Sequence, residues 1–186
     1  HPDEKKGQII GLTLRYYPHV IGDGINTIDQ LIAANSRAQK LLSPKHDCQY
    51  QPDAVPEQGQ VVRLATIGST RVGGLYRDGG QHISKELCNA IDAIAKDMPD
   101  FYFGRFDVRF ASLSELSRGK HFKIMEINGA GSEAINAWDP ETTLFSAFAI
   151  IFAKQRLLFE IAAANRSKGH RPMTLLKLAT LHFRQR

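Results

Sequence analysis

The sequence predicts an α+β fold in which a mainly antiparallel sheet is covered on one face by helices. Short segments rich in β-branched and aromatic residues alternate with segments whose apolar residues recur at helical spacing, and the last part of the chain is helical by the same criterion. Hydrophobic residues make up 42% and charged residues 23% of the 186 residues, as in a packed globular protein and unlike a disordered or fibrous one. The length fits one compact unit or two small lobes.

The first part of the chain predicts a strand, a turn and a helix. Residues 8–17 are rich in Ile, Leu, Thr and Tyr, which favours a strand that Pro18 limits. The glycines of segment 21–24 indicate a turn. A helix is expected next, because Thr27 and Gln30 have the spacing of a capping box and apolar residues then repeat at helical intervals.

The middle of the chain predicts loops around one strand and one helix. Segment 43–58 is polar and contains several prolines, which is typical of a surface loop. Residues 61–67 are a strand candidate, and the glycine-rich segment 68–80 is expected to be a mobile loop. Ser84 can cap the helix that follows.

Two strands and two helices complete the prediction. The strands are expected at residues 102–110 and 122–128, which are rich in Phe, Val and Ile. The helices are expected at residues 142–166 and 173–183, and the first of them should be the main support of the sheet. Trp138 is expected to anchor the sheet to this long helix.

The charge balance of the chain is modest. Its 24 Lys and Arg residues against 19 Asp and Glu residues give a net charge of +5, which suits small anionic molecules as readily as nucleic acid. The basic run at residues 166–171 has no interleaved aromatic residues and indicates a helix C-terminus. We therefore predict no nucleic-acid partner.

Cysteine usage and hydropathy predict a cytoplasmic protein without a membrane span. Cys48 and Cys88 are too few for a disulfide framework, which indicates free thiols in a reducing compartment. Charged residues interrupt the longest apolar-rich stretch, residues 142–164, close to where the centre of a bilayer would lie. The chain opens without an initiator methionine, and we expect its native start to be missing.

Strand alternation gathers polar side chains on one face of each of the two central strands. The first strand would place Phe103, Arg105, Asp107 and Arg109 together. The second would place Phe122, Ile124, Glu126 and Asn128 together, opposite Lys123, Met125 and Ile127. If the polar faces align, Asp107, Glu126 and Asn128 form the oxygen cluster that Mg²⁺ prefers, and Arg105 can hydrogen-bond a phosphoryl group. On spacing alone, a solvated sheet face explains the pattern equally well.

The same residues carry a resemblance to a known family. Gly104-Arg105-Phe106-Asp107, followed one strand later by Met125-Glu126-Ile127-Asn128-Gly129, resembles the end of the ATP-grasp fold of D-alanine–D-alanine ligases and related carboxylate–amine ligases. By this match, Asp107, Glu126 and Asn128 would bind two Mg²⁺ ions of ATP, or Mn²⁺ in their place. Arg105 would contact the phosphates as a catalytic residue, and Asn128 would also contact the nucleotide.

A second resemblance lies earlier in the chain. The segments Pro18-His19-Val20-Ile21-Gly22-Asp23-Gly24 and Thr27-Ile28-Asp29-Gln30-Leu31-Ile32 resemble a region of ATP-grasp peptide ligases of the cyanophycin-synthetase type. The glycine-rich Arg71-Val72-Gly73-Gly74 falls at the corresponding place, which implies nucleotide contacts for Arg71, Gly73 and Gly74. Arg63, on the preceding strand, either faces the phosphates or lies on the surface. Together the matches span roughly residues 7–140.

The chain also departs from the family. The N-terminal domain and the lysine-bearing ATP lobe of complete ATP-grasp enzymes are absent from it, so residues 1–186 resemble the C-terminal part of an ATP-grasp domain. Asn128 is followed by Gly-Ala-Gly-Ser-Glu where the ligases have a Pro-Gly turn. A glycine-rich turn after a strand lets backbone N–H groups approach an anion. Gly129, Ser132 and Glu133 of this turn are therefore candidate substrate contacts.

The resemblance implies an ATP- and Mg²⁺-dependent ligase that joins a carboxylate to an amine through an acyl-phosphate. Its partners would be small amino-acid or peptide-like carboxylates and amines, with homo-oligomerisation left open. The isolated fragment is expected to be inactive. The alternative, from another class, is a noncatalytic ATP-grasp-like module that serves as a regulatory or scaffold domain.

Overall fold

A computed structural model describes residues 2–3, 6–39 and 50–184 of the chain. The predictions for Cys48 and for the start of the 43–58 loop fall outside these residues. The described strands are β1 (Thr13–Tyr16), β2 (His19–Ile21), β3 (Val61–Arg63), β4 (Leu75–Asp78), β5 (Arg105–Phe110) and β6 (Phe122–Asn128). The described α-helices are α1 (Ile28–Ala34), α2 (Lys85–Lys96), α3 (Leu113–Ser117), α4 (Leu144–Ser167) and α5 (Leu175–Arg184).

The chain forms two compact units. Unit 1 comprises His1–Ile9, Ser84–Ser132 and Phe152–Arg186, and unit 2 comprises Ile10–Ile83 and Glu133–Ile151. The strands of the described residues pair antiparallel as three two-stranded ribbons, β1 with β4, β2 with β3 and β5 with β6. The predicted α+β class with antiparallel pairing is confirmed, whereas the described strands form separate ribbons instead of one sheet.

Unit 2 is built around α1. The predicted capping box is present, since the Thr27 hydroxyl accepts from the Gln30 N–H and the Gln30 side chain accepts from the Thr27 N–H. The helix then buries Ile28 and Ile32 in the core of this unit. The other buried members of that core are Val20, Ala38 and Leu64. The β2–β3 ribbon therefore packs on α1, through Val20 of β2 and through Leu64, the residue that follows β3.

The glycine-rich segment 68–80 contains regular structure, so the prediction that it is a loop is wrong in part. It contains a 3₁₀ helix, Thr70–Val72, and strand β4, which pairs with β1. Gly73 has a positive φ of 85°, and a Cβ there would lie 2.4 Å from the Arg37 carbonyl oxygen. A Cβ on Gly74 would lie 2.6 Å from the Gly68 carbonyl oxygen. These glycines permit close backbone packing, which glycine content alone cannot distinguish from mobility.

The predicted first strand is shorter than expected, and a second strand follows it. β1 ends at Tyr16, and after Pro18 the chain re-enters extended structure as β2. The turn after β2 is held by Asp23, whose carboxylate accepts from the Ile25 and Asn26 N–H groups and from the Asn26 amide. Hydrogen bonds from the Asn26 backbone and side chain, then from Ile25, hold the pKa of Asp23 below its ordinary value.

Unit 1 is built on the β5–β6 ribbon and the helices beside it. Ser84 caps α2 as predicted, by accepting from the Leu87 N–H. The short helix α3, capped by Ser112, was not predicted. Leu87 and Leu116 are buried, and Gly119 after α3 has a positive φ of 67° close to the α2 backbone.

The two C-terminal helices are present where the sequence predicts them. The long one, α4, ends near Gly169, which has a positive φ of 92° as expected of a helix stop. Trp138, which the sequence predicts to anchor the sheet to α4, has 56% of its surface exposed. Within the described part of the chain, no helix combines the length and apolar composition needed to cross a bilayer.

Candidate functional site

The two central strands of unit 1 bring the predicted polar residues to facing positions. Arg105 is the cross-strand partner of Asn128, and Asp107 is the partner of Glu126. Directly opposed residues of an antiparallel pair project from the same face of the ribbon. The alignment of polar faces that the sequence analysis required is therefore present in the structure.

Hydrogen bonds join these four side chains into one network. The Arg105 guanidinium donates to both oxygens of Asp107, from Nε at 2.7 Å and from Nη2 at 3.4 Å. With the Asn128 amide oriented so that each atom meets a complementary group, its oxygen accepts from Arg105 Nη2 at 3.2 Å and its nitrogen donates to Glu126 Oε1 at 3.2 Å. The Arg105 and Asp107 side chains are 25% and 17% exposed, so their ion pair is only partly screened by solvent.

A β-bulge lies directly beside this network. Asp107 pairs with Glu126, but Val108 pairs with Ile124, so Met125 is the extra residue of the bulge. The bulge reverses the alternation of β6 before Glu126. Ile124 and Phe122 share a face with Val108 and Phe110, and Lys123 shares the face of Arg109. The prediction that Phe122 and Ile124 lie on the face of Glu126, with Lys123 opposite, is therefore wrong.

The end of β6 is fixed by a turn and by a lysine from α4. The Ser132 N–H donates to the Gly129 carbonyl at 3.0 Å, which closes the predicted glycine-rich turn. Lys154 of α4 donates to the Ser132 carbonyl, and its ammonium lies 6.0 Å from the centre of the Phe103 ring. Sequence reasoning missed Lys154, because nothing local links a mid-helix lysine to a distant turn.

The donor set on this face fits a hard divalent cation. Asp107 and Glu126 supply carboxylate oxygens and Asn128 an amide oxygen, which are the ligands that Mg²⁺ prefers, with water or substrate phosphate filling the other positions. In the described residues no group of three or more His, Cys, Asp or Glu side chains is placed to hold a metal ion. Two carboxylates and one amide would thus be the ligands that the described residues contribute, as is common for Mg²⁺ held jointly with phosphates.

Four of the predicted nucleotide contacts lie in unit 2. Arg63 donates from Nε to the Ala65 carbonyl at 2.8 Å and stacks 3.5 Å from the centre of the Tyr17 ring. Arg71 is exposed in the 3₁₀ helix that Gly73 and Gly74 follow. The candidate substrate residues belong to both units. Gly129 and Ser132 are part of unit 1, and Glu133 is part of unit 2.

Unit 2 has a polar centre of its own, which the sequence did not reveal. Asp139 is buried and accepts from the Asp78 N–H at 2.7 Å and the Glu141 N–H at 2.9 Å, while Arg77 contacts it at 3.1 Å. Arg77 also pairs with Glu141 at 2.6 Å. Burial raises the pKa of Asp139, but the hydrogen bonds from Glu141, Asp78 and Arg77 outweigh it and hold this pKa below its ordinary value. Sequence reasoning expected only a cap or turn at Asp139.

A cavity of about 440 Å³ lies beside this centre. Its walls combine isoleucine side chains with Asp78, Glu141 and the hydroxyls of Thr142, Thr143 and Ser146.

Comparison with known proteins identifies the fold. A bifunctional glutathione synthetase from Pasteurella multocida has a similar structure, with a TM-score of 0.53 and 16% sequence identity over 82% of this chain. The chain has the fold of part of this synthetase, which is an ATP-grasp enzyme. It spans 23% of the length of that synthetase structure. No protein-family model matches the sequence, and no curated protein matches it.

The ATP-grasp likeness agrees with the resemblance found on the β5 and β6 motifs. At 16% identity it establishes the fold alone. The roles of Arg105, Asp107, Glu126 and Asn128 therefore depend on their own geometry and chemistry.

Proposed function

We propose that this chain is the C-terminal part of the ATP-grasp domain of an ATP- and Mg²⁺-dependent ligase that joins a carboxylate to an amine. The observation that supports this most directly is the pairing of Asp107 with Glu126 and of Arg105 with Asn128 on one ribbon face. Three oxygen donors beside a guanidinium are suited to a metal–phosphate complex, because the donors hold the cation and the guanidinium binds the phosphate.

The proposed reaction has two displacements. An oxygen of the substrate carboxylate attacks the terminal phosphorus of ATP, and ADP leaves as the acyl-phosphate forms. The nitrogen of the amine then attacks the acyl carbon, loses a proton, and inorganic phosphate leaves with the C–O bond electrons. Bound Mg²⁺ would neutralise charge on the phosphates. Asp107, Glu126 and Asn128 would hold that ion, and Arg105 would stabilise charge on the transferring group, because its guanidinium is permanently charged.

Further contacts belong to the same proposal. Arg63, Arg71, Gly73 and Gly74 would face the nucleotide, and Gly129, Ser132 and Glu133 would face the small carboxylate or amine substrates. Mn²⁺ would replace Mg²⁺ at the same oxygen donors. A cytoplasmic location is supported by Cys88, which is a free thiol in the structure.

One observation favours the alternative of a noncatalytic module. The Asp107 oxygens already accept from Arg105, and the Asn128 amide already bridges Arg105 and Glu126. Such a network is satisfied without any ligand, and a structural ribbon face needs no more. In the ligase, by contrast, Asp107 would share its oxygens between Arg105 and a metal ion, so a requirement for Mg²⁺ in nucleotide binding distinguishes the two functions.

Calorimetry with the natural full-length protein and a non-hydrolysable ATP analogue tests the proposal. We expect binding that requires Mg²⁺ and falls at least tenfold in Asp107→Asn and in Glu126→Gln, because each substitution removes an anionic metal ligand. Asp97→Asn is the matched control, since Asp97 is an exposed carboxyl of the same unit at the end of α2. Equal affinity in all four proteins, or no binding in any, would favour the noncatalytic module.

A further inference from the structure

A third cross-strand pair on the β5–β6 ribbon carries two positive charges. Arg109 is the partner of Lys123, next along the polar face after the Asp107–Glu126 pair. Both side chains are exposed. Neither forms an ion pair or a side-chain hydrogen bond with any residue that the structure describes. They are thus two cations at directly opposed positions of the ribbon.

This placement depends on the bulge at Met125. With the register that holds at Asp107 and Glu126, the partner of Arg109 would be Ile124. The extra residue moves Ile124 to the opposite face and brings Lys123 to Arg109 instead. Like charges at directly opposed positions destabilise a ribbon, so the bulge creates an unfavourable cross-strand pair where an apolar partner was available. An anion between the two side chains would remove that repulsion.

We propose that Arg109 and Lys123 form an oxyanion subsite next to the candidate metal site. Residues two apart on one strand are separated by roughly 7 Å, so the cationic pair adjoins the carboxylate pair on the same face. An Arg guanidinium binds two oxygens of a phosphate or carboxylate in a planar fork, and a Lys ammonium adds a mobile point charge. This inference extends the proposed function, because the ligand would be a phosphate of the nucleotide or the carboxylate of the second substrate.

The ligand class is therefore a compact polyanion, and two probes distinguish its sources. Tripolyphosphate stands in for the nucleotide phosphates, and citrate stands in for a substrate with several carboxylates. Each is titrated into this chain without Mg²⁺, so that neither probe depends on a metal held by Asp107 and Glu126. We expect one of the two probes to bind more tightly, and its identity assigns the subsite to phosphate or to carboxylate.

Charge-removing variants test which residues bind the probe. Arg109→Gln and Lys123→Gln should each weaken binding roughly threefold to fivefold, and the double variant about tenfold or more, as expected for exposed ionic contacts. Lys120→Gln is the matched control, because it removes the same charge from an exposed residue of the loop just before β6. Raising the salt concentration should weaken the binding through screening.

Thermal unfolding gives a readout that is independent of the probe. If Arg109 and Lys123 repel each other in the free protein, Lys123→Gln should raise the Tm, and saturating probe should raise the Tm of the parent protein but not of the double variant. Probe affinity that is unchanged in the double variant, or lost equally in Lys120→Gln, would overturn the subsite.

The proposed function and the subsite can fail separately. Asp107→Asn should weaken Mg²⁺-dependent binding of the ATP analogue at least tenfold while leaving metal-free binding of the probe undiminished. If the protein binds the probe through Arg109 and Lys123 but never binds the nucleotide, the proposed subsite stands and the proposed ligase function fails. Loss of probe binding in Asp107→Asn would count against the subsite.

Discussion

Asp139 is the buried carboxylate that organises unit 2 at the residue scale. Its two oxygens accept two backbone N–H groups and contact the Arg77 guanidinium, so one side chain fixes the end of β4 and the turn that leads to α4. Hydrogen bonds to a charged acceptor are stronger than those between neutral groups, and their loss leaves buried donors without partners. Asp139 is thus a point where a small chemical change should have a large effect.

Asp139→Asn should destabilise the protein by about 1–3 kcal/mol, because the amide nitrogen cannot accept and would face another donor. Urea unfolding followed by circular dichroism measures this free energy. Glu141→Gln is the control, since Glu141 contacts the same arginine but its side chain is 78% exposed. A loss of stability as large in Glu141→Gln as in Asp139→Asn would contradict the role assigned to burial.

The lowered pKa of Asp139 also predicts how stability depends on pH. A carboxyl whose pKa is lower in the folded than in the unfolded protein contributes stability that is fully present above its unfolded pKa of about 4. That contribution is lost as the pH falls below this value and through the folded pKa, because the folded protein must then take up a proton. Unfolding measured from pH 6 down to about pH 2 should therefore show a shallower acid decline in Asp139→Asn than in the parent. Parallel declines would contradict the prediction.

Residue-scale predictions from the sequence succeeded where a rule of alternation links neighbours. The alignment of Asp107 with Glu126 and of Arg105 with Asn128 follows from strand periodicity once two strands pair. Lys123, Lys154 and Asp139 could not be found in this way. The position of Lys123 opposite Arg109 depends on a bulge. The roles of Lys154 and Asp139 depend on contacts with residues far away along the chain.

At the scale of elements, the sequence predicts a boundary well where a side chain caps it. Thr27 and Ser84 mark the starts of α1 and α2, because each satisfies a backbone donor within its own first turn. The bulge in β6 has no such local signal, since Met125 is an ordinary strand residue and only the register against β5 shows that it is extra. The packing glycines of segment 68–80 are equally hidden, because their neighbours, such as the Arg37 carbonyl, are set by the tertiary fold.

Gly119 joins α3 to β6 at a place with no room for a side chain. Its φ is 67°, and a Cβ there would lie 2.8 Å from both the Glu86 carbonyl oxygen and the Ala90 Cβ on α2. Gly119→Ala should therefore cost about 2 kcal/mol or more, from backbone strain of about 1–2 kcal/mol plus displacement of α2. Gly169→Ala is the control, because Gly169 has a similar φ of 92° but open space around it. Chemical denaturation should show the larger loss for Gly119→Ala, and equal losses would refute the contribution of crowding.

At the scale of the whole molecule, the C-terminal helices expose many large apolar side chains. On α4 these include Phe145, Phe152 and Phe159, whose exposed fractions are 86%, 66% and 72%. On α5 they include Leu175 and Leu176, at 84% and 80%. Apolar side chains exposed at this density favour association, because burying them removes apolar surface from water.

We therefore expect this chain to self-associate in solution as its concentration rises. Sedimentation equilibrium should show an average mass above the 20.7 kDa of one chain. Replacing Phe145, Phe152 and Phe159 by Ser should move that mass towards the monomer, while Gln155→Ser on the same helix should leave it unchanged. A single-chain mass at every concentration would rule out the association.

Because each unit is made of separate stretches of chain, part of a unit is synthesised before the rest of it. Unit 1 needs residues 84–132 and also residues 152–186, so the β5–β6 ribbon leaves the ribosome before the segment that completes its unit. At the usual rate of about 5–20 residues per second, the nascent ribbon waits roughly 3–10 s for that segment. During this interval its polar face, with both the carboxylates and the cationic pair, is formed by a two-stranded element that is only marginally stable alone. Early translational arrest or truncation before residue 152 would thus release a chain that carries the candidate site without the C-terminal segment of its unit.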